Sequence, residues 1–216
     1  MKIADLPKID YILISHDHYD HLDLPTIKEL VGLFHPRILA GLGVKKLLAD
    51  KNIGDVVELD WWQTYQENVK GIEFTFVPAL HNSGRSLWGD NRTLWGGFVM
   101  ESPAGRVYFA GDTGYGGFID SIKARYNGFR LTVLPVGNYE KRWFMKGQHL
   151  NPEDAVLIQR LLSSRMSIGI HCATFAEHPE QAIDAHEVDL QAALTKYAMD
   201  DSAFRNLKFG EGLMLY

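Results

Sequence analysis

Short apolar runs alternate with amphipathic stretches from the start of the chain. Residues 10–14 (DYILI) are apolar after the first position, as in a strand buried on both faces. Pro25 then begins a stretch with apolar residues at positions 27, 30, 31 and 34, the spacing of a helix with one buried face. The pattern continues and predicts strands at 37–40, 56–59, 72–78, 131–136 and 167–170, and helices at 44–51, 117–126, 152–162 and 179–199.

One pair of predicted strands has the pattern of a hairpin. Residues 95–102 and 106–110 are strand-like runs joined by Pro103, Ala104 and Gly105, which favour a tight turn between antiparallel neighbours. Elsewhere strands alternate with helices, which is typical of layered α/β folds. We therefore predict an α/β fold with mixed sheets, formed by a single domain over residues 1–216.

Three further local signals refine this prediction. Residues 72–78 (IEFTFVP) alternate, which predicts a strand that faces solvent on one side. Asn151 is a good helix N-cap, and Pro152 fits the first helical position behind it. Residues 213–216 predict one last strand.

The composition excludes several classes of protein. The chain has 216 residues, of which 46% are hydrophobic and 23% charged, as in an average globular protein with one sizeable core. The formal net charge of −5 argues against non-specific nucleic-acid binding. Cys172 is the single cysteine, so the sequence does not call for an oxidising compartment. Neither a spanning apolar run nor a signal-peptide pattern is present, and we predict a cytoplasmic location.

Three histidines and two aspartates are crowded into residues 16–21 (HDHYDH), directly after the first predicted strand. Imidazole nitrogens and carboxylate oxygens are the ligands that zinc and similar divalent ions prefer. In an extended segment His16 and His18 point to the same side and can reach one ion. Asp20 and His21 follow after a turn and can address a second position. A solvated polar loop is the alternative, but this spacing behind a buried strand favours a metal site.

Further candidate ligands follow later strands. His81 comes after residues 72–78, Asp112 lies in Gly111-Asp112-Thr113-Gly114, and His171 comes directly after residues 167–170. Taken alone, each histidine could be an ordinary hydrogen-bonded side chain, and Asp112 could be a turn residue. Polar residues at the ends of buried strands gather at one rim of a sheet, where α/β folds place their sites. We therefore expect these side chains to join the first motif.

These motifs resemble those of a known family. HDHYDH is similar to the His-x-His-x-Asp-His signature of the metallo-β-lactamase superfamily, and His81, Asp112 and His171 occur in the order of its remaining ligands. The chain resembles more narrowly the branch of N-acyl-phosphatidylethanolamine-hydrolysing phospholipase D and its bacterial relatives. The segments that carry this resemblance are ISHDHYDHLD (14–23), ELDWW (58–62), VPALH (77–81), FAGDTGY (109–115), QHLNPEDAV (148–156) and IHCATF (170–175).

The resemblance implies a four-layered αββα sandwich of two mixed sheets with a binuclear metal site. It implies two zinc ions per chain, with manganese or iron as alternatives. The residues carried over are His16, His18 and His81 for the first ion, Asp20, His21 and His171 for the second, and Asp112 as the bridge. Members of the superfamily usually have several strands before the motif, which begins here at residue 16, so we expect an incomplete N-terminal sheet.

A pair of divalent ions lowers the pKa of a shared water and thereby generates a hydroxide, which suits hydrolysis of phosphodiesters, thioesters, lactones or lactams. The resemblance favours a phospholipase D-like phosphodiesterase. A lactonase of the ascorbate-phosphate lactonase type and a non-catalytic metal-binding module remain as alternatives. We assign a catalytic role to Asp20, as metal ligand and proton shuttle. The resemblance implies that His149 lies near the active site and contacts the substrate or leaving group, whereas the alternative is a loop histidine that helps the next helix to start.

Several other residues are candidates for the site or its surroundings. Arg85 and Arg92 are explained equally well as contacts for an anionic substrate group and as surface residues. Cys172 is more simply a small buried residue than a metal ligand. The tryptophans are interpreted as core or groove-lining residues, namely Trp61, Trp62, Trp88, Trp95 and Trp143. The expected partner is a small-molecule or lipid substrate, with peripheral membrane contact and without nucleic acid.

Overall fold

Two stacked β-sheets with helices on their outer faces form the fold. The computed structural model describes residues 2–67, 70–85, 91–174 and 182–215. In these ranges the smaller sheet has three parallel strands. They are, in spatial order, β1 (Tyr11–Ile14), β2 (Arg37–Gly41) and β3 (Val56–Leu59), and they are connected by helices α1 (Leu24–Phe34) and α2 (Val44–Ala49).

The larger sheet is mixed and, in the described ranges, has seven strands. Its spatial order is β10-β9-β8-β7-β6-β5-β4. The strands are β4 (Thr64–Glu67), β5 (Ile72–Val77), β6 (Gly97–Ser102), β7 (Gly105–Phe109), β8 (Leu131–Pro135), β9 (Ser167–Ile170) and β10 (Phe204–Asn206). Pairs from β4 to β7 are antiparallel and pairs from β7 to β10 are parallel. The predicted hairpin is the β6–β7 pair.

In the described part of the second half of the chain there are four helices: α3 (Phe118–Arg125), α4 (Arg142–Met145), α5 (Pro152–Leu161) and α6 (Ala185–Lys196). The start of α5 confirms the predicted cap, because the Asn151 side chain accepts a hydrogen bond from the Asp154 backbone N–H and Pro152 occupies the first turn. Buried residues of α3, α5 and α6 pack on one face of the larger sheet, whereas those of α1 and α2 pack on the outer face of the smaller sheet. The α/β sandwich predicted from the sequence is confirmed.

The inter-sheet core explains one wrong prediction. Leu39 of β2 and Leu59 of β3 pack against Phe74, Phe76 and Phe98 of the larger sheet. Since helices cover the opposite face of the larger sheet, the last four residues of β5 are all buried. The alternation of this strand predicted one solvated face, but a sheet sandwiched between two layers has none there.

Other differences lie at weakly patterned segments. The strands β4 and β10 and the short helix α4 were not predicted, because they are short and carry little apolar periodicity. The strand predicted at 213–216 is absent from residues 213–215, and Tyr216 lies outside the described residues. The helix predicted at 179–199 is observed as α6, and residues 179–181 lie outside the described ranges. Among the described helices, none is long and apolar enough to cross a membrane.

The core between the sheets provides a test of the fold. Leu39 is fully buried, so Leu39→Ala leaves a cavity and should lower the free energy of unfolding by about 2–5 kcal/mol. Leu33 on α1 is 49% exposed and gives a matched control, for which Leu33→Ala should cost about 0.5 kcal/mol or less. Denaturant unfolding of both variants measures the difference. Equal losses would contradict the position of Leu39 in the core.

Candidate metal centre

The His-rich loop after β1 is buried at its start and tightly folded. His16 is 1% exposed and Asp17 is 4% exposed. The backbone N–H groups of His21 and Leu22 both donate to the carbonyl of His18, at 3.1 and 2.9 Å. This turn separates the two halves of the motif, as expected from the sequence, and directs them to neighbouring positions.

A first group of three histidines converges on one point. Nε2 of His16 lies 3.0 Å from Nδ1 of His18, and Nε2 of His81 lies 3.4 Å from the same Nδ1. His81 follows β5, and its other ring nitrogen is 3.0 Å from the backbone carbonyl of Gln148. Because that carbonyl can only accept, Nδ1 of His81 carries a proton and Nε2 presents its lone pair to the group.

A second group lies beside the first and contains Asp20, His21, Asp112 and His171. The Nε2 atoms of His21 and His171 are both 3.2 Å from Oδ2 of Asp20. They are 3.0 and 3.4 Å from Oδ2 of Asp112. His171 follows β9, so strand ends from both halves of the chain meet here, as predicted.

Asp112 joins the two groups. Its Oδ2 is 4.0 Å from Nε2 of His16 and 3.8 Å from Nε2 of His81, in addition to its contacts with the second group. Gly111 allows this approach, because a Cβ there would lie 2.5 Å from the Ser15 side chain and its φ is +62°. The structure thus brings together all seven residues predicted as ligands.

His149 was predicted as a substrate contact, and the structure places it in the same site. It is buried, and its Nδ1 lies 3.9 Å from Oδ2 of Asp112. Its ring stacks on that of His171 with centroids 5.4 Å apart. Together with His81 and Asp112 it forms a third set of side chains close enough to share an ion. The motif QHLNPEDAV therefore contributes to the centre.

Burial keeps three of these imidazoles neutral. Desolvation, reinforced by neighbouring histidines, lowers the pKa of His16 to about 2 and that of His81 to about 4, although Asp112 opposes the shift. The pKa of His149 is likewise lowered to about 4, chiefly by burial. Neutral imidazole is the form that binds metal ions.

In contrast to these neutral imidazoles, Asp20, Asp112 and His21 are stabilised in their charged forms. Hydrogen bonds from His171 and His21 hold the pKa of Asp20 well below its usual range. The pKa of Asp112 is also lowered, because the contacts with His21 and His171 outweigh the effect of its burial. For His21, burial is outweighed by the close contacts with Asp112 and Asp20, which raise its pKa to about 9.

This donor set fits divalent cations. Oδ1 of Asp112 is buried and has no hydrogen-bond partner among the described residues. A buried unpaired carboxylate oxygen is costly, and a cation bound beside it would satisfy it. Imidazole and carboxylate together suit zinc, manganese and iron. The His/Asp cluster is therefore able to bind metal.

The structure decides the role of Arg85, for which the sequence left two interpretations. Its Nη1 donates to the backbone carbonyls of Asp17 and Leu22, both at 2.8 Å, and its guanidinium lies 4.1 Å from the ring centroid of Tyr19. Oδ1 of Asp17 accepts from the backbone N–H of Gly84 at 2.7 Å. Arg85 thus holds the His-rich loop in place, and it also lines a second cavity of about 460 Å³ together with Arg92.

A cavity of about 330 Å³ opens over the second group. It is lined by Asp20, His21, Asn138, Ile170, His171, Cys172 and Thr174. Cys172 lines this cavity and also packs against the core, but it is only partly buried, which differs from its interpretation as a small buried residue. Sequence reasoning missed Asn138, which follows β8 and adopts a left-handed conformation with φ +54°.

The tryptophans are divided between the core edge and the surface. Trp61 is 36% exposed, and Trp62 packs against the core of the larger sheet. Trp143 on α4 is 76% exposed, so of its two interpretations, core or groove-lining residue, the first does not hold. Trp88 lies outside the described residues.

Two proteins with named activities are similar in sequence to this chain. N-acyl-phosphatidylethanolamine-hydrolyzing phospholipase D 1 of Caenorhabditis elegans is 40% identical over 185 residues, which are 81% of this chain and 52% of that protein. The mitochondrial enzyme of the same name from Saccharomyces cerevisiae is 36% identical over 191 residues, which are 86% of this chain and 41% of that protein. The chain thus spans about half the length of these relatives.

A solved structure and a family profile agree with this similarity. Igni18, a metallo hydrolase from the archaeon Ignicoccus hospitalis, has the same fold with a TM-score of 0.68 at 20% identity, covering 93% of this chain and 77% of that one. The profile described as the beta-lactamase superfamily domain matches residues 2–172, which include all seven predicted ligands. The chain therefore belongs to the beta-lactamase superfamily domain family.

Proposed function

We propose that this chain is a metal-dependent hydrolase that uses two zinc-type ions. The observation that carries the proposal is the sharing of Asp112 by two adjacent ligand groups, each with the donor types of a divalent cation site. A structural zinc site is closed by four ligands, whereas seven side chains converge here beside an open cavity.

In the proposed site His16, His18 and His81 would hold one ion. The second would be held by Asp20, His21 and His171, and Asp112 would bridge them. When bound, such a pair of ions supplies a water whose pKa is lowered toward neutrality. The protein contributes fixed positions for the ligands, because His81 is oriented by the Gln148 carbonyl and the His-rich loop by Arg85.

Two residues would act on the substrate side. Asp20 is 44% exposed in its side chain and lines the cavity, so its carboxylate can reach both solvent and substrate. Because its contacts with His171 and His21 hold its pKa low, it would carry a shuttled proton only transiently. His149 is buried in the same site with Nδ1 facing Asp112 at 3.9 Å, and it would contact the substrate or leaving group.

We further propose that the substrate is a phosphodiester with an apolar part. The two relatives described above are named for hydrolysis of N-acyl-phosphatidylethanolamine, which is such a molecule. A strip of exposed apolar side chains beside the centre supports this choice. This apolar rim consists of Leu80, Tyr115, Trp143 and Phe144, which are 41%, 41%, 76% and 62% exposed.

Backbone contacts connect the segments that carry the rim to a ligand. Leu80 precedes His81, and its carbonyl accepts from the backbone N–H of Gly114 at 2.8 Å. Gly114 in turn lies against the backbone of Lys146, directly after α4. Exposed Lys141 and Lys146 flank the aromatic pair Trp143 and Phe144. Apolar contact next to positive charge suits a lipid substrate at an anionic membrane surface.

The shared carboxylate gives the first test. Asp112→Ala should reduce the metal content from two ions per chain to one or none and abolish hydrolysis of bis(4-nitrophenyl) phosphate, because the ions lose their bridge. Asp120, which is exposed in the first turn of α3, gives the control Asp120→Ala, expected to retain both ions and full activity. Elemental analysis and a parallel assay with a simple lactone complete the experiment.

Undiminished hydrolysis by Asp112→Ala would show that this residue is not a bridge. If the wild-type chain hydrolyses the lactone but not the phosphodiester, the substrate class is a lactone rather than the proposed phosphodiester. Metal-loaded protein without either activity would favour a non-catalytic module.

Metal binding should release protons in a pH-dependent way. His21 has a pKa of about 9 without metal and must be deprotonated to bind an ion, so binding at pH 7 should release about one proton from it. At pH 10 His21 is already neutral, and this release should disappear. Titration calorimetry in buffers of different ionisation enthalpy measures the number of protons. A release that does not change between these two pH values would argue against His21 as a ligand.

The apolar rim should affect only substrates with long chains. Replacing both Trp143 and Phe144 with alanine should raise KM for a long-chain phosphodiester by about tenfold or more, because apolar contact area is lost. The KM for bis(4-nitrophenyl) phosphate serves as the internal control and should stay unchanged. Equal changes for both substrates would mean that the pair supports the site rather than the apolar chain.

A further inference from the structure

The surroundings of His149 fix which of its ring nitrogens carries a proton. Nε2 of His149 lies 3.4 Å from Nδ2 of Asn138, and Nδ1 faces Asp112 at 3.9 Å. Nδ1 is buried and has no hydrogen-bond partner among the described residues. The two nitrogens therefore have different environments, one with an amide donor and one directed at the metal centre.

An amide nitrogen can only donate a hydrogen bond. Nε2 of His149 must therefore accept from Asn138, and an accepting ring nitrogen carries no proton. In this arrangement the proton of the imidazole is on Nδ1. An imidazolium carries protons on both nitrogens and could not accept the bond from Asn138.

Both partners are held in place by the backbone. Asn138 adopts a left-handed conformation (φ +54°), which asparagine tolerates better than most residues. The backbone N–H of His149 donates to the carbonyl of Met145 at 2.9 Å, and its carbonyl accepts from Arg142 at 2.8 Å. Arg142 also pairs with Asp154, which belongs to the capping box of α5. The imidazole is thus presented to the centre in one orientation.

We propose that Asn138 is a positioning residue that keeps His149 as a neutral imidazole with its proton on Nδ1, so that His149 donates a hydrogen bond to a substrate oxygen and transfers no proton. This inference rests on the hydrolase function proposed above. A neutral imidazole that gave up its Nδ1 proton would become an imidazolate, and Asn138 has no proton to pass to Nε2. Neutral histidine acting as a hydrogen-bond donor is an established catalytic use of the residue.

The proton position is tested directly by nuclear magnetic resonance of the ring carbons and nitrogens of His149 in the zinc-loaded full chain. We expect the pattern of a neutral ring protonated at Nδ1. Asn138→Asp replaces the donor with an acceptor and should move a proton onto Nε2. Asn138→Gly removes the side chain, and glycine adopts the left-handed backbone conformation without strain, so this variant should give a mixture of both tautomers. A wild-type ring protonated at Nε2, or one bound to zinc through Nδ1, would overturn the proposal.

A pair of substitutions at His149 tests the role of the proton. His149→Asn places an amide N–H close to the position of Nδ1 and can donate a hydrogen bond but cannot act as an acid. It should keep activity within about tenfold of the wild type, whereas His149→Ala should lose about 10- to 100-fold, the scale of a hydrogen bond to a charged group. Both variants should keep the full metal content.

Equal losses of about 10²–10⁴-fold in the two variants would indicate proton transfer and overturn the proposal. The resonance experiment does not depend on turnover. If the wild-type chain hydrolyses none of the substrates, the proposed function fails, but the proton position on His149 is still decided.

Discussion

The burial of one carboxylate among histidines is the constraint on which the site depends. Oδ2 of Asp112 has ring nitrogens of five histidines within 4.0 Å, namely His16, His21, His81, His149 and His171. A buried charge is tolerated only when it is paired and hydrogen-bonded. The rings cannot all be protonated at such short separations, so several present lone pairs instead. The site therefore contains a carboxylate and several imidazole lone pairs that a bound cation would satisfy.

The parts of the site that are local in sequence could be predicted from it. Each ligand follows a strand or a tight turn, and strands that run in the same direction, as β5, β7 and β9 do, have their carboxyl ends at one edge of the sheet. For this reason His81, Asp112 and His171 could be connected with the HDHYDH segment, although the residues next to them in the sequence do not by themselves indicate a metal site. The helix that starts at Asn151 was also predictable, since its cap is a local signal.

Features that depend on a distant partner could not be predicted. β5 is buried on both faces because the smaller sheet covers one face and helices cover the other, and the alternation of its own residues carries no information about these two layers. The partners of Arg85 are the backbone carbonyls of Asp17 and Leu22. Because every residue has a backbone carbonyl, the residue types in the sequence do not reveal such partners. Asn138 is similar, since only the fold brings its amide to His149, eleven positions further along the chain.

The contact between Asp20 and His171 spans 151 positions of the sequence. The centre therefore cannot form from a folded fragment of the chain, because its two halves meet only when β1 and β9 are both in place. If an ion stayed bound there during unfolding, it would close a very long loop in the unfolded chain. Otherwise it would have to dissociate before the chain unfolds. An ion bound there would stabilise the folded chain relative to the unfolded one, and its removal through the open cavity would lower the free energy of unfolding of the whole sandwich rather than of a single loop.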